Sequence, residues 1–234
     1  MKIVQQGILL RKLNYSESSL ILSFFTLEEG LQSYIFQGGK KKKGNILQVL
    51  TLVEIEAYFR PDSELGKITA ISPTYLLQSI PFHPIKSGIA FFIAEVVGMC
   101  FKSTNVDARM YFFLKERIEF LDKTDETTNF PLLFLIDLTK QLGFEPNIIG
   151  KNPRYLDVVD GELVDHQPTG HIFIYDNTIP LLTELLSPTD ELKKIRMSKL
   201  DRQQLLQNLL VYYQHHVEGF KTPKSLAVLQ AVFS

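Results

Sequence analysis

The 234-residue sequence predicts an α+β protein: a five-stranded barrel over residues 1–80, then a mainly α-helical domain over residues 81–234 with a small β-hairpin insertion near residues 155–175. Three observations lead there. Five β-rich runs punctuated by turn residues occupy the N-terminal third, the hydrophobic period becomes helical after Pro81-Phe82-His83-Pro84, and a short strand signal around Asp160-Gly161 interrupts the helical part. With 45% hydrophobic and 22% charged residues, the chain has the composition of an ordinary globular protein and not of a disordered one.

The β-rich runs cover residues 7–13, 19–26, 31–37, 51–60 and 67–76. The fourth is the clearest: Val53, Ile55, Ala57 and Phe59 alternate with Glu54, Glu56, Tyr58 and Arg60, so one face is buried and the other wet. Glu28-Glu29-Gly30 is read as a tight turn between the second and third runs, and residues 61–66 as a longer one between the fourth and fifth. Residues 45–50 can form one helical turn between the third and fourth. Five short strands interrupted after the third point to an OB-type barrel, with an SH3-like barrel as the alternative from pattern alone.

Helices are expected over residues 85–101, over 106–121 behind an Asn105 cap, and over 131–142, stopped by Gly143 and Pro146. Strands then return at 155–159, 162–165 and 171–175, with Val159, Leu163, Ile172 and Ile174 as the expected buried positions. In the tail, Ser187-Pro188-Thr189-Asp190 and Ser198-Lys199-Leu200-Asp201 resemble helix starts, and Thr222-Pro223 is expected to cap a last short helix. Leu206, Leu209, Leu210, Tyr213 and Val217 fall on one helical face and read as core.

A formal net charge of -1 conceals a strong asymmetry. Residues 124–192 hold 3 Lys/Arg against 12 Asp/Glu, whereas residues 193–234 hold 7 against 2. Any polyanion must therefore be met locally. The strongest local signal is Lys40, Lys41, Lys42 and Lys43, bounded by Gly38-Gly39 and Gly44. Four ammonium groups repel one another, so the loop is best explained as a phosphate contact, the alternative being a turn that charge merely keeps solvated. Lysine supplies charge without bidentate geometry, and such a grip is indifferent to base sequence. Arg11 and Lys12 on the first strand are flanking phosphate candidates, and Tyr34 is a candidate stacking platform with Tyr58 beside it; Phe36 reads as core.

Enzymatic readings find little support. The sequence has no Walker loop, no Gly-x-Ser-x-Gly elbow and no His-Glu-x-x-His, so no catalytic residues and no cofactor are assigned. Cys100 is the single cysteine, set among Val96, Val97, Met99 and Phe101, and reads as a structural thiol. His166 and His171 lack a thiolate framework, and Asp157, Asp160, Glu162 and Asp165 read as a solvated acidic face, so no metal is expected. His215 and His216 are expected to complement the negative end of their helix. The apolar runs are too short or too interrupted for a membrane span and no signal-peptide pattern opens the chain, which makes a cytoplasmic location the expectation.

Taken in order, Gly7-Ile8-Leu9-Leu10, Tyr15-Ser16-Glu17-Ser18-Ser19-Leu20 leading to Phe25-Thr26, Gly30, the Gly38-Gly39-lysine loop, Leu142-Gly143-Phe144-Glu145-Pro146 and Lys224-Ser225 resemble the DNA recombination and repair mediator family RecO. The resemblance implies an OB-fold followed by a helical domain, and a non-enzymatic, nucleoid-associated protein that binds single- and double-stranded DNA and anneals strands. It also implies RecR and the single-stranded-DNA-binding protein as partners, with RecA loading as an indirect outcome. Many relatives are expected to carry a four-cysteine zinc lobe after the Gly-Phe-x-Pro helix end, where this chain has no cysteine. The acidic tail of the single-stranded-DNA-binding protein is the implied peptide ligand, and Lys193, Lys194, Arg196, Lys199 and Arg202, beside the apolar helix stripe, are the candidate residues to receive it. The rival reading is a protein-interaction scaffold whose barrel binds a peptide and touches no nucleic acid.

Overall fold

The first five strands pair edge to edge around one shared apolar core. The computed structural model describes residues 2–38, 47–59, 65–101, 106–187 and 195–232. Strands β1 (Lys2–Asn14), β2 (Leu20–Thr26), β3 (Gly30–Phe36), β4 (Leu52–Tyr58) and β5 (Gly66–Tyr75) form a closed barrel in the order β1-β2-β3-β5-β4. Closure depends on the length of β1. Its first half pairs with β4, from Lys2↔Tyr58 to Ile8↔Leu52, and its second half pairs with β2, from Gly7↔Thr26 to Asn14↔Leu20. The register slips between Leu9 and Arg11, and this bulge turns the strand around the barrel corner. Between β3 and β5 the pairing is parallel, Tyr34↔Gly66 and Ile35↔Lys67, which is the OB-type arrangement the strand pattern predicts.

Leu9, Leu22, Phe24, Tyr34, Val53 and Ile55 fill the interior. Gly66 is required where β5 meets β3: a Cβ there would lie 2.7 Å from both Phe59 Cζ and Tyr34 Cδ1. The segment after β3 re-enters as Leu47–Leu50 in backbone contact with β1, where the Leu50 amide donates to the Leu9 carbonyl at 2.7 Å. Leu50 adopts a left-handed φ of 66° and the Thr51 amide donates to the Gln48 carbonyl at 3.1 Å, so the described part of this segment closes in a tight turn where one helical turn was expected.

The described residues group into two compact units, residues 1–127 with 223–234, and residues 128–222. In the first, helices α1 (Pro84–Cys100) and α2 (Ala108–Lys123) follow the barrel, and α6 (Leu226–Val232) returns to α1. Helix α2 is capped by Asp107, whose Oδ1 accepts from the Met110 amide at 3.1 Å. Residues 102–105, with the expected Asn105 cap, lie outside the described residues. The crossover from β5 to α1 is held by Asp122 of α2, whose carboxylate accepts the amides of Gln78, Ser79 and Ile80 at 2.8–2.9 Å. Burial works to raise the Asp122 pKa, and the three amides outweigh it, so the group is held below the ordinary carboxylate value. Buried Lys86 donates to Ser79 Oγ at 2.7 Å and to the Asp122 carbonyl at 3.0 Å, completing the junction.

The second unit contains α3 (Phe130–Leu142), α4 (Ile179–Leu186), α5 (Lys199–His216) and a small sheet. The sheet runs β6-β8-β7-β9, with β6 (Asn147–Ile148), β7 (Tyr155–Asp157), β8 (Glu162–Val164) and β9 (Phe173–Ile174). Gly143, at φ 84°, ends α3 while the Phe144 amide reaches back to the Thr139 carbonyl. Gly161, at φ 69°, makes the expected turn of the hairpin. The hairpin's buried set differs from the expected one: Leu156, Val158 and Leu163 are buried, whereas Ile172 is 63% exposed. It precedes β9, in a segment that contributes its carbonyl to Val158 and leaves its side chain outside.

Candidate nucleic-acid interface

Beyond its pairs with β4, β1 continues along β2, which is itself paired with β3 there, and from Arg11 to Asn14 its side chains are solvent-exposed. Arg11 and Lys12 are both exposed there, opposite Ser23 and Leu22. The Lys12 ammonium donates to the Leu47 carbonyl at 3.1 Å, which fixes its position and leaves two N–H donors for another ligand. Lysines 40–43 themselves lie outside the described residues. Leu47, the partner of Lys12, stands four positions after Lys43 in the sequence.

Tyr34 is not a surface platform. It is fully buried in the barrel, its hydroxyl donates to Gln5 Oε1, and its ring packs edge-on against Phe24 and Phe59 at 5.9 and 5.7 Å. Burial pushes the phenol pKa well up, as expected of a hydroxyl committed to donation. Tyr34 and Phe36 are two residues apart on one strand and therefore share a face, a period-two signal that places both in the core. Tyr58 is 45% exposed.

One feature of this surface has no signature in any single stretch of sequence. The turn at Leu47 and Val49, the crossover at Ile80 and Pro81, and Phe91 of α1 enclose an open cleft of about 400 Å³, with Lys12 on its wall. Phe91 is 52% exposed although α1 is otherwise rich in buried apolar side chains.

The candidate peptide-binding residues are divided by the structure. Lys193 and Lys194 lie outside the described residues, whereas Arg196 and Lys199 are exposed before and at the start of α5. Arg202 is half-buried, its Nε donating to Asn129 Oδ1 at 3.0 Å and its Nη2 to the Met197 carbonyl at 3.3 Å, so it ties α5 to the start of α3. The apolar stripe beside these residues is no open groove. Leu206, Leu209, Leu210 and Tyr213 are buried, and the Tyr213 hydroxyl donates to the Leu135 carbonyl at 2.6 Å. Leu200, 76% exposed, is the apolar side chain that does face solvent at this helix start.

The acidic hairpin is largely engaged in its own backbone. Asp165 accepts the amides of Lys151 and Asn152 at 3.1 and 2.9 Å. Asp157 accepts those of Val159 and Asp160 through Oδ1, and its Oδ2 lies 2.9 Å from His171 Nδ1. Ligand atoms of Asp157, Asp160 and His171 fall within 4.8 Å of one another, but both Asp157 oxygens already have partners and no thiolate is present, a poor match to a structural zinc set. His216, expected to complement its helix end, instead stacks on Phe144 at 5.1 Å and bonds the Val158 carbonyl, and burial lowers its pKa. Burial likewise pushes the Cys100 thiol up to about 12, away from nucleophilic use.

The family profile described as "Recombination protein O N terminal" matches residues 1–76, and "Recombination protein O C terminal" matches residues 82–150. A DNA repair protein RecO from Christiangramia forsetii is 33% identical over the whole of both chains. This chain belongs to the RecO family. A second RecO, from Flavobacterium psychrophilum, is also 33% identical over both full lengths, and that of Phocaeicola vulgatus is 29% identical over 97% of this chain and 98% of its own. The N-terminal RecO match coincides with the closed barrel, ending one residue after β5.

Proposed function

We propose that this RecO-family chain acts in DNA repair and recombination as a non-enzymatic mediator, holding single- and double-stranded DNA through phosphate contacts so that complementary strands anneal. The observation that carries the reading is the OB-type closed barrel whose first strand projects Arg11 and Lys12 beyond the closing pairs. The Lys40, Lys41, Lys42 and Lys43 run extends that basic surface in sequence, and the relatives are named as DNA repair proteins. RecR, the acidic tail of the single-stranded-DNA-binding protein and, indirectly, RecA are the proposed partners. Arg196 and Lys199 are the exposed described cations for the tail. Among the described residues no helix is long and apolar enough to cross a membrane, and a cytoplasmic, nucleoid-associated location fits the proposed role.

The test is binding of unrelated single-stranded oligonucleotides across a salt series. Affinity should be independent of sequence and fall with salt at about 0.7 log units per log unit of salt for each phosphate contacted. Binding absent at low salt, with retained binding of a partner peptide, would favour the scaffold reading instead.

A further inference from the structure

We propose that the cleft between the barrel and α1 receives one unstacked base of a bound single strand, with Phe91 as the stacking surface and Lys12 as the contact to the adjoining phosphate. The inference rests on the DNA-binding reading above. Its geometric basis is independent of the lysine run. At about 400 Å³ the cleft falls within the size range of small-molecule sites, and its lining is mixed, with Val49, Pro81 and Phe91 beside the polar Lys12, Gln48 and Ser87. The aromatic ring at its wall is half in solvent, as a stacking partner must be before its ligand arrives. Among the described residues lining it none is acidic, so nothing there repels a phosphodiester.

Position does the rest of the selection. Lys12 is held at the wall by its bond to the Leu47 carbonyl, so its charge is placed in advance rather than recruited from a mobile side chain. A neutral base entering between Phe91 and the Leu47–Val49 turn would bring its own phosphate to that ammonium. The exposed Gln48 carries both an amide donor and an acceptor at the mouth, suited to any base edge. A protein that anneals strands has a use for such a pocket: one base turned out of the stack keeps the strand from pairing with itself while its neighbours stay free to pair.

The experiment measures affinity of the full chain for short oligothymidylate and for a matching oligomer of abasic residues, with Phe91→Leu and Phe91→Trp as variants. Both substitutions keep apolar bulk at an exposed position, so folding is preserved. F91L should weaken the thymidylate about tenfold, equivalent to 1.4 kcal/mol, and leave the abasic oligomer unchanged; F91W should restore binding. Salt-dependent binding of both oligomers by F91L at wild-type affinity would overturn the pocket and leave the DNA-binding reading standing. Failure of the wild type to bind either oligomer would remove both. Should F91L instead lose affinity only for an acidic peptide ending in hydrophobic residues, the cleft belongs to a protein partner and the inference is wrong.

Discussion

Glu95 of α1 accepts the backbone amide of Ser225 at 2.8 Å and its hydroxyl at 2.6 Å, across a sequence separation of 130, and takes the Lys224 amide at 2.9 Å as well. A side chain from a distant helix thus does for α6 what an N-cap residue does from within, satisfying amides that the helix itself cannot.

Glu95→Ala should cost about 1 kcal/mol of stability at neutral pH, the usual effect of losing an N-cap. Burial works to raise the Glu95 pKa, and the donors from Ser225 and Lys224 prevail, so the folded value lies below the ordinary 4.5. A depressed carboxylate contributes stability above its unfolded pKa and loses it as pH falls through the folded value. The gap between wild type and E95A in urea denaturation should therefore narrow below pH 4.5, and a gap constant with pH would contradict this account.

Replacing Lys40, Lys41, Lys42 and Lys43 by glutamine should weaken single-stranded DNA binding equally for unrelated sequences. Four contacts at about 0.7 each should reduce the salt slope by roughly 3 units. An unchanged slope would show that these charges do not meet phosphates.

For the acidic tail peptide, Lys199→Glu with Arg196→Glu should lower affinity at least about tenfold, or 1.4 kcal/mol, while bare DNA is affected less. Arg202→Glu should behave differently. Its guanidinium bonds Asn129 and the Met197 carbonyl, so the substitution should lower the melting temperature before it reports on any ligand. Titration calorimetry beside thermal melts separates the two effects.

The hairpin is expected to stay folded in chelator and to contain no stoichiometric zinc by elemental analysis, with the Asp157–His171 pair in place of a metal. The bond to Asp157 raises the His171 pKa above the ordinary 6.5. A raised group contributes fully below its unfolded pKa and loses that contribution as pH rises through the folded value. Histidine-to-glutamine substitution at 171 should thus be felt more in mild acid than in alkali, and NMR titration of the imidazole gives the value directly.

The barrel was legible from five β-rich runs set off by turn residues, most clearly in β4, where Val53, Ile55 and Ala57 are buried as the period requires and Glu54 is exposed. Helix α4 was not. It is 8 residues long with Pro180 in its first turn, and Ser187 caps its C-terminal end through bonds to the Thr183 and Glu184 carbonyls, while the rest of the helix start expected at 187–190 lies outside the described residues. In the interface, the exposed Arg11 and Lys12 could be read from charge, whereas the cleft could not. Lys12, Val49, Ile80 and Phe91 come from four separate stretches, and only the closed barrel and its junction with α1 bring them together.

The Asp122 junction decides how the molecule can be taken apart. A fragment ending at residue 80 would retain all five strands yet leave the amides of Gln78, Ser79 and Ile80 without their acceptor, along with the apolar surface that α1 covers. Glu95 adds a second tie, to residues that follow the other unit in the chain. The piece that keeps its own bonds is therefore discontinuous, residues 1–127 rejoined to 223–234. A shortened protein designed to keep these bonds joins residues 1–127 to 223–234 rather than being trimmed from the C-terminus.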